Sequence, residues 1–464
     1  HDPSTPVTRT SSYDVTRKAD GSPCVKSLSE RPFAPEMSAG TENPNAGSYS
    51  PFLFRMTRSD DDQEISQIGI DLPAGLTSRI AGLSFCPEGA IAAASNPLRT
   101  GTEEQASPSC PASSQIGTTD VGSGVGVPLT YIPGKVYLAG PYKGAPLSVV
   151  VITPILAGPY DLGVIAVRSA VGLDPKTTAV HILTDPFPQI FEGVPVRIRD
   201  IRVKADRPET FLNPTNCDPK SITAHLTGAG GNVNSTADDT AADLQNRFQV
   251  ANCSSLAFKP KLAFQLKGGT KRGDHPAFKA TLTGRRGDAN ISRVSVKLPA
   301  AEFLDQSHIK TVCTRVQFAA KACPQGSIYG YAKAWTPLLD QPVEGPVYLR
   351  SSNHTLPDLV MALHGTIDVE LSGRIDSVKG ALRSTFDFVP DQPVSKFVLA
   401  MPGGGKGLLV NSRDTCKTVN RAAVLIDGQN GKTADQSPTV QNGCAAASKA
   451  KRGREGRSSG RAGR

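Results

Sequence analysis

"IDLPAGL" at residues 70–76 and "VKLPAAEF" at residues 296–303 open two stretches of chain that carry the same landmarks in the same order. Leu72-Pro73 matches Leu298-Pro299, Cys86 matches Cys313, and Cys110-Pro111 matches Cys323-Pro324. Gly117 and Gly330 each follow seven residues after the second of these cysteines. Further on, Val136-Tyr137-Leu138 matches Val347-Tyr348-Leu349, and Pro146 and Pro357 each open an apolar run. Pro195-Val196 matches Pro393-Val394, Asn213 to Cys217 matches Asn411 to Cys416, and Cys253 matches Cys444. A long fixed period of this kind signals whole domains in tandem rather than a solenoid of short hairpins.

The matched order selects one cysteine pairing: Cys86 with Cys110, Cys217 with Cys253, Cys313 with Cys323, and Cys416 with Cys444. The ninth cysteine, Cys24, holds the place of Cys253 relative to a proline-started strand, Pro51 here and Pro276 there. It therefore reads as the unpaired closing cysteine of a preceding copy, in a chain that begins at His1 after removal of a signal peptide and upstream repeat. Disulfides at these positions imply an oxidising, extracytoplasmic compartment, so the product is expected to be secreted or displayed on the cell surface. Zinc is the rival reading of the cysteines, but close Cys-x2-Cys pairs with nearby histidines are missing.

Strand patterns dominate between these landmarks. "KVYLAG", "APLSVVVITPIL", "SRVSVKLP" and "PVSKFVLAM" alternate or run apolar between turn residues, and the chain contains 44 Gly and 37 Pro to punctuate them. In "VPVRIRDIRV", Val196, Ile198, Ile201 and Val203 change phase across Asp200, which predicts a bulge or turn. Helix is expected only at 87–95 and at 237–249, the latter capped by Thr236 or Asp238. The expected fold is all-β: tandem β-sandwich, immunoglobulin-like domains with disulfides and little helix. Residues 1–27 read as the remnant of a preceding repeat, 28–254 as one repeat with two lobes meeting near 128, 255–445 as a second with lobes meeting near 337, and 446–464 as a disordered basic tail. The Cys-Trp-Cys pattern of true immunoglobulin domains is missing, since the single Trp335 lies outside the Cys313–Cys323 pair. No segment has the apolar length of a transmembrane helix.

The formal charge of +9 is concentrated at the end of the chain. Residues 449–464 carry seven Lys and Arg against one Glu, or +6, which leaves +3 for everything before them. Such a tail can adhere to anionic cell-wall polymers or glycans. No aromatic residue interleaves with its charges, so nucleic acid is not an expected partner.

Candidate chemistry is thin. Asp60, Asp61, Asp62 and Glu64 form the densest carboxylate cluster and the calcium candidate, although a solvated turn is the preferred reading because the spacing of a known calcium loop is lacking. Arg272-Gly273-Asp274 and Arg286-Gly287-Asp288 are triplets of a type that some adhesion ligands use, and they also arise by chance in a chain rich in these residues. The glycine run Gly403-Gly404-Gly405-Lys406-Gly407 lacks the Ser or Thr of a phosphate loop and reads as a hairpin connection. Seven histidines are scattered without metal spacing, and no nucleophile elbow occurs. No catalytic, cofactor-binding or metal residue is assigned, and no cofactor is expected.

The strings "LPAGL", "TKRGDHPAFKATLT", "EFLDQSHIKTVCTRVQFAAKACP" and "GLLVNS" resemble those of large, multi-repeat secreted proteins of soil actinobacteria. The resemblance spans nearly the whole chain and implies an exported, repetitive, envelope-associated product; it implies no functional residue. The expected role is therefore structural, spacer or adhesive, without catalysis. The alternative is an extracellular glycan-binding module drawing on the local concentration of Tyr131, Tyr137, Tyr142 and Tyr160, of which Tyr137 matches Tyr348 and reads rather as core, and a third reading is a carboxylate hydrolase built on Asp60 to Glu64.

Overall fold

The computed structural model describes residues 11–12, 16–17, 21–27, 30–230 and 240–444. Two large hydrogen-bonded ladders account for most of them, and every pairing within the first is antiparallel. Across the first ladder the strands run Glu36–Thr41, Phe52–Thr57, Ile198–Ala205, Gln115–Ser123, Thr130–Ala139, Leu147–Ala157, Tyr160–Leu173, Val180–Thr184, Ile65–Leu72, Lys220–Gly228 and Ala241–Phe248. Across the second they run Lys261–Lys267, Ala277–Thr283, Lys396–Met401, Ile328–Trp335, Val343–Arg350, Asp358–Leu363, Val369–Val378, Ala381–Phe386, Ile291–Lys297, Ala423–Gly428 and Thr433–Gln436. The order of use along the chain is the same in both. The second ladder adds Val440–Gln441, which pairs in parallel with Phe264 and Gln265.

Each ladder curls so that its ends share a core. Phe52, Phe54 and Met56 near one end of the first ladder pack with Ile65, Ile68, Ile222, Leu226 and Phe248 near the other. Asn246 Nδ2, on the last strand, donates to Ala39 O on the first at 2.6 Å. The core of the second ladder gathers Phe264, Phe278, Leu399, Val424 and Ile426 in the same way. The result is a pair of sandwich-like, partly closed β units, each stabilised by apolar side chains that alternate inward along the strands.

Several paired landmarks have a steric cause. The register slips between Gln115 and Gly117 and again between Ile328 and Gly330. A Cβ on Gly117 would overlap the Lys204 carbonyl, and one on Gly330 would lie 2.6 Å from the Ala400 carbonyl. Only glycine admits so close a neighbouring strand. Asn213 Nδ2 donates to Asn43 O and Asn45 O, and Asn411 Nδ2 to Gly269 O and Lys271 O, each tying a loop to the strand beside it. Sulfur–sulfur bonds join Cys86 to Cys110, Cys217 to Cys253, Cys313 to Cys323 and Cys416 to Cys444, with Cα separations of 5.2–5.9 Å. Cys24 is a free thiol.

Several expectations change, and others hold. The lobe boundaries near 128 and 337 fall in turns between paired neighbours, Gln115–Ser123 with Thr130–Ala139 and Ile328–Trp335 with Val343–Arg350, so the ladder continues across both. The helix expected at 237–249 is the strand Ala241–Phe248, paired with Lys220–Gly228; its proposed caps Thr236 and Asp238 lie outside the described residues, as does the tail at 446–464. The strands flanking the glycine run 403–407 do not form a hairpin: Lys396–Met401 pairs with Ala277–Thr283 and Ile328–Trp335, whereas Leu409–Asn411 pairs with Glu302–Leu304. The phase change in 194–203 is a bulge, where the register slips between Ile198 and Asp200. The helix at Glu88–Ala94 is present. Helices Gly101–Ala106 and Arg315–Ala319 are also present, each opened by a capping box at Thr100 or Thr314.

Candidate functional sites

The carboxylate cluster is a poor calcium site because arginines surround it. Arg199 meets Asp60 at 3.0 Å, while Arg58, Arg197 and Arg31 converge on Glu64. Asp62 accepts from the Ser59 and Ala34 amides and is buried. Burial pulls the Arg58 guanidinium down to about 10, reinforced by Arg31 and Arg199. A cation entering here would displace arginines that already neutralise the carboxylates, so both the calcium reading and a hydrolase using Asp60 to Glu64 lose their residues.

The four tyrosines form no common platform. Tyr137 is buried, and that burial pushes its phenol up to about 12. Tyr131 donates to Asp200 beneath Arg202, and Tyr142 donates to Asp185 beside Arg168. Tyr160 is exposed at the far end of its strand. The other exposed aromatic strip lies elsewhere, on the strand Ile328–Trp335, where Lys333 and Lys396 flank the Trp335 ring at 5.4 and 5.2 Å. In the two Arg-Gly-Asp triplets the carboxylates are engaged locally: Asp274 accepts from Lys271 N, and Asp288 from Arg285 and Lys259 N.

The two β units meet through buried polar contacts. Asp391, 5% exposed, accepts four hydrogen bonds. Its Oδ2 takes the Thr215 and Asn216 amides at 2.8 and 3.1 Å, and its Oδ1 takes Thr215 Oγ1 and Asn290 Nδ2 at 2.6 and 2.8 Å. Gly75, at φ +96, approaches so closely that a Cβ would lie 2.9 Å from Asp391 Oδ2. Around this centre, Ile80 N and Ala81 N donate to Leu338 O, Glu370 N to Pro175 O, and Gln392 to Thr178. The connecting segment is fixed too, because Asn430 and Lys432 donate to the carbonyls of Cys253 and Leu256.

An apolar cavity of about 770 Å³ lies within the second unit and reaches the first. Phe264, Phe278, Met361 and Phe397 line it with Leu173 and Ile182, and it also borders Arg79, Glu209 and Arg286. A volume in this range suits a small-molecule site.

Three polar groupings escaped sequence reasoning. On the first ladder, His181 and His225 both meet Asp71, at 2.6 and 3.2 Å, and His225 also meets Asp243 at 2.7 Å. Burial pushes Asp71 up, but its hydrogen bonds with His181 and His225 outweigh that and hold it below the ordinary carboxylate range. His225 is raised, chiefly by Asp243. On the second, His275, Asp305 and His308 converge, with the two imidazoles stacked at 4.3 Å. Glu302, 1% exposed, has neither carboxylate oxygen hydrogen-bonded, and burial pushes it up to about 7 against the pull of Arg413. Its counterpart is Leu76: Leu76 N donates to Pro73 O as Glu302 N does to Pro299 O. Spacing hid these groups because strand pairing assembles them; the one visible signal was a carboxylate at a position where the matching residue is leucine.

No family model matches the chain, and no curated protein matches it. Among solved structures, the chain is similar to the type II cohesin dyad from the adaptor ScaA scaffoldin of Acetivibrio cellulolyticus, at 8% identity and a TM-score of 0.18, over 88% of this chain and 97% of that one. The chain is mostly β with four disulfides, which fits an extracellular protein, and no described helix is long and apolar enough to cross a membrane.

Proposed function

We propose that the chain is a section of an extracytoplasmic repeat protein whose two disulfide-stapled β units act as a stiff structural or adhesive scaffold. The carrying observation is the junction, where Asp391 accepts four hydrogen bonds, three of them from the other unit. A flexible tether needs no such buried network, and inter-domain motion is the default where contacts are few. The identical strand order of the two ladders supports a duplicated module, in keeping with the resemblance to secreted actinobacterial repeat proteins. The basic tail would supply contact with anionic polymers of the envelope. Nitrogen-15 relaxation tests the stiffness: a single rotational correlation time for both units supports it, and two independent, shorter times overturn it.

The cavity favours a second reading, an apolar ligand carried between the sheets. Native mass spectrometry of protein purified from its own host reads this directly, as a mass increment that organic extraction removes.

A further inference from the structure

We propose that His275, Asp305 and His308 form a binding site for one divalent transition-metal ion of the zinc class. The three residues come from two separate segments. His275 precedes the strand Ala277–Thr283, while Asp305 and His308 bracket the turn that follows the strand Glu302–Leu304. The short pairing of Glu302–Leu304 with Leu409–Asn411 holds the glycine run against them.

The donor atoms already sit at coordination spacing. One ligand atom from each residue lies within 4.8 Å of the others. Asp305 Oδ2 is 2.8 Å from His275 Nε2 and 3.8 Å from His308 Nε2. Metal–ligand bonds of about 2.0–2.1 Å arranged tetrahedrally separate neighbouring donors by roughly 3.3 Å, which falls between the two values. Adjustments of about half an ångström would bring both nitrogens to one ion.

The surrounding bonds leave lone pairs of Asp305 Oδ2 and His308 Nε2 facing inward, while His275 Nε2 donates to Asp305 Oδ2 and would give up that proton to an incoming ion. His308 Nδ1 lies 2.7 Å from Gly407 O, an acceptor only, so Nδ1 carries the proton and Nε2 is the free base. Asp305 Oδ1 is occupied by Ser307 N and Oγ, at 3.0 and 2.6 Å, which directs Oδ2 to the cluster. The glycine run supplies the back wall: a Cβ on Gly407 would lie 2.9 Å from His275 Cβ, and one on Gly403 2.6 Å from His275 O. A simple His275–Asp305 ion pair would need neither the second imidazole nor its fixed tautomer.

Two imidazoles and one carboxylate select zinc, cobalt, nickel or copper over calcium and magnesium, which favour all-oxygen sets. The side chains are 20–21% exposed, leaving the remaining coordination position to water or an incoming group. The first unit does not repeat the site. Arg79 N donates to Thr210 O where Asp305 N donates to Leu408 O, which puts Arg79 in the place of Asp305 and Tyr49 in that of His275.

The test is titration of the full-length chain with Zn²⁺ by calorimetry and with Co²⁺ by visible absorption, comparing the wild type with H308A, D305N and S307A. The wild type is expected to bind one ion that H308A and D305N lose, with Co²⁺ bands typical of four-coordinate geometry. S307A, which keeps all three ligands, is expected to bind about 10–100-fold more weakly. Circular dichroism and a count of intact disulfides establish that each variant is folded; if H308A is not, the S307A series decides. Absence of binding by the wild type, or equal binding by wild type and variants, overturns the proposal.

Discussion

Replacing Asp391 with alanine removes the acceptor for two amides, one hydroxyl and one carboxamide at the centre of the junction. A donor left buried without a partner costs about 1–3 kcal/mol, and breaking a buried charged network costs about 3–5 kcal/mol in total. Water entering the vacated space and rotation of the Thr215 hydroxyl reduce the sum, so about 3–5 kcal/mol is expected for D391A. Asparagine is no remedy, because both carboxylate oxygens each accept two bonds and an amide nitrogen would face two donors. Hydrogen exchange at Thr215 and Asn216 reads the effect locally, and because each 1.4 kcal/mol is a factor of ten, the loss of protection should be about 10²–10⁴-fold. Urea unfolding followed by Trp335, the single tryptophan and a member of the second unit, reads it globally. The control is D340A, which removes an exposed acceptor for Gly82 N at the same junction and should cost under about 1 kcal/mol. If D391A behaves like D340A in both assays, the junction is not held by this network and the stiff-scaffold reasoning fails.

Glu302 makes stability depend on pH: its carboxyl rises from an ordinary 4.5 to about 7 in the fold, so the protein loses stability as pH climbs from about 4.5 through 7, by about 3 kcal/mol at the plateau. E302Q should flatten that slope in denaturant titrations at several pH values, and E302L, which installs the residue found at position 76, should stabilise further at pH 8. Loop-closure entropy gives about 3 kcal/mol for the Cys313–Cys323 bridge and about 4 kcal/mol for Cys217–Cys253, from separations of 10 and 36 residues, so paired Cys→Ala variants should rank in that order by thermal unfolding. His225 should titrate above the ordinary histidine range by proton NMR, and D243N should lower its midpoint. G75A combines a φ of +96 with a Cβ 2.7 Å from Pro214 and should cost more than about 2 kcal/mol.

What could be read in advance follows from where the information lies. The β architecture was legible because each unit needs the same bulge, the same close-approach glycine and the same loop-fastening asparagine, and all three are visible as matched residue types. Residues 241–248 misled because Ala242, Leu244 and Gln245 are good helix formers. Their edge position beside Lys220–Gly228 supplies a ladder of hydrogen bonds instead, with alternate residues half-buried, and tertiary pairing outweighs local propensity. The lobe division failed because Ile198–Ala205 slots between Phe52–Thr57 and Gln115–Ser123, a non-local pairing that composition does not encode. The acidic run at 60–64 reads as a cation site until Arg197 and Arg199, more than a hundred residues away, fold back onto it.

The same non-local assembly separates frame from chemistry. At the equivalent surface the first unit carries Tyr49, Arg79 and Glu209, and the second carries His275, Asp305 and a glycine. In the first unit Arg286 reaches across from its neighbour to Glu209, and Arg79 pairs with that same carboxylate. The polar residues there are spent on joining units. In the second unit the corresponding position draws its imidazoles and carboxylate together instead. One backbone frame therefore supports a contact between units in one copy and the proposed metal ligands in the other. The paired landmarks consequently describe folding, while the unpaired residues at matched positions are where function is to be sought.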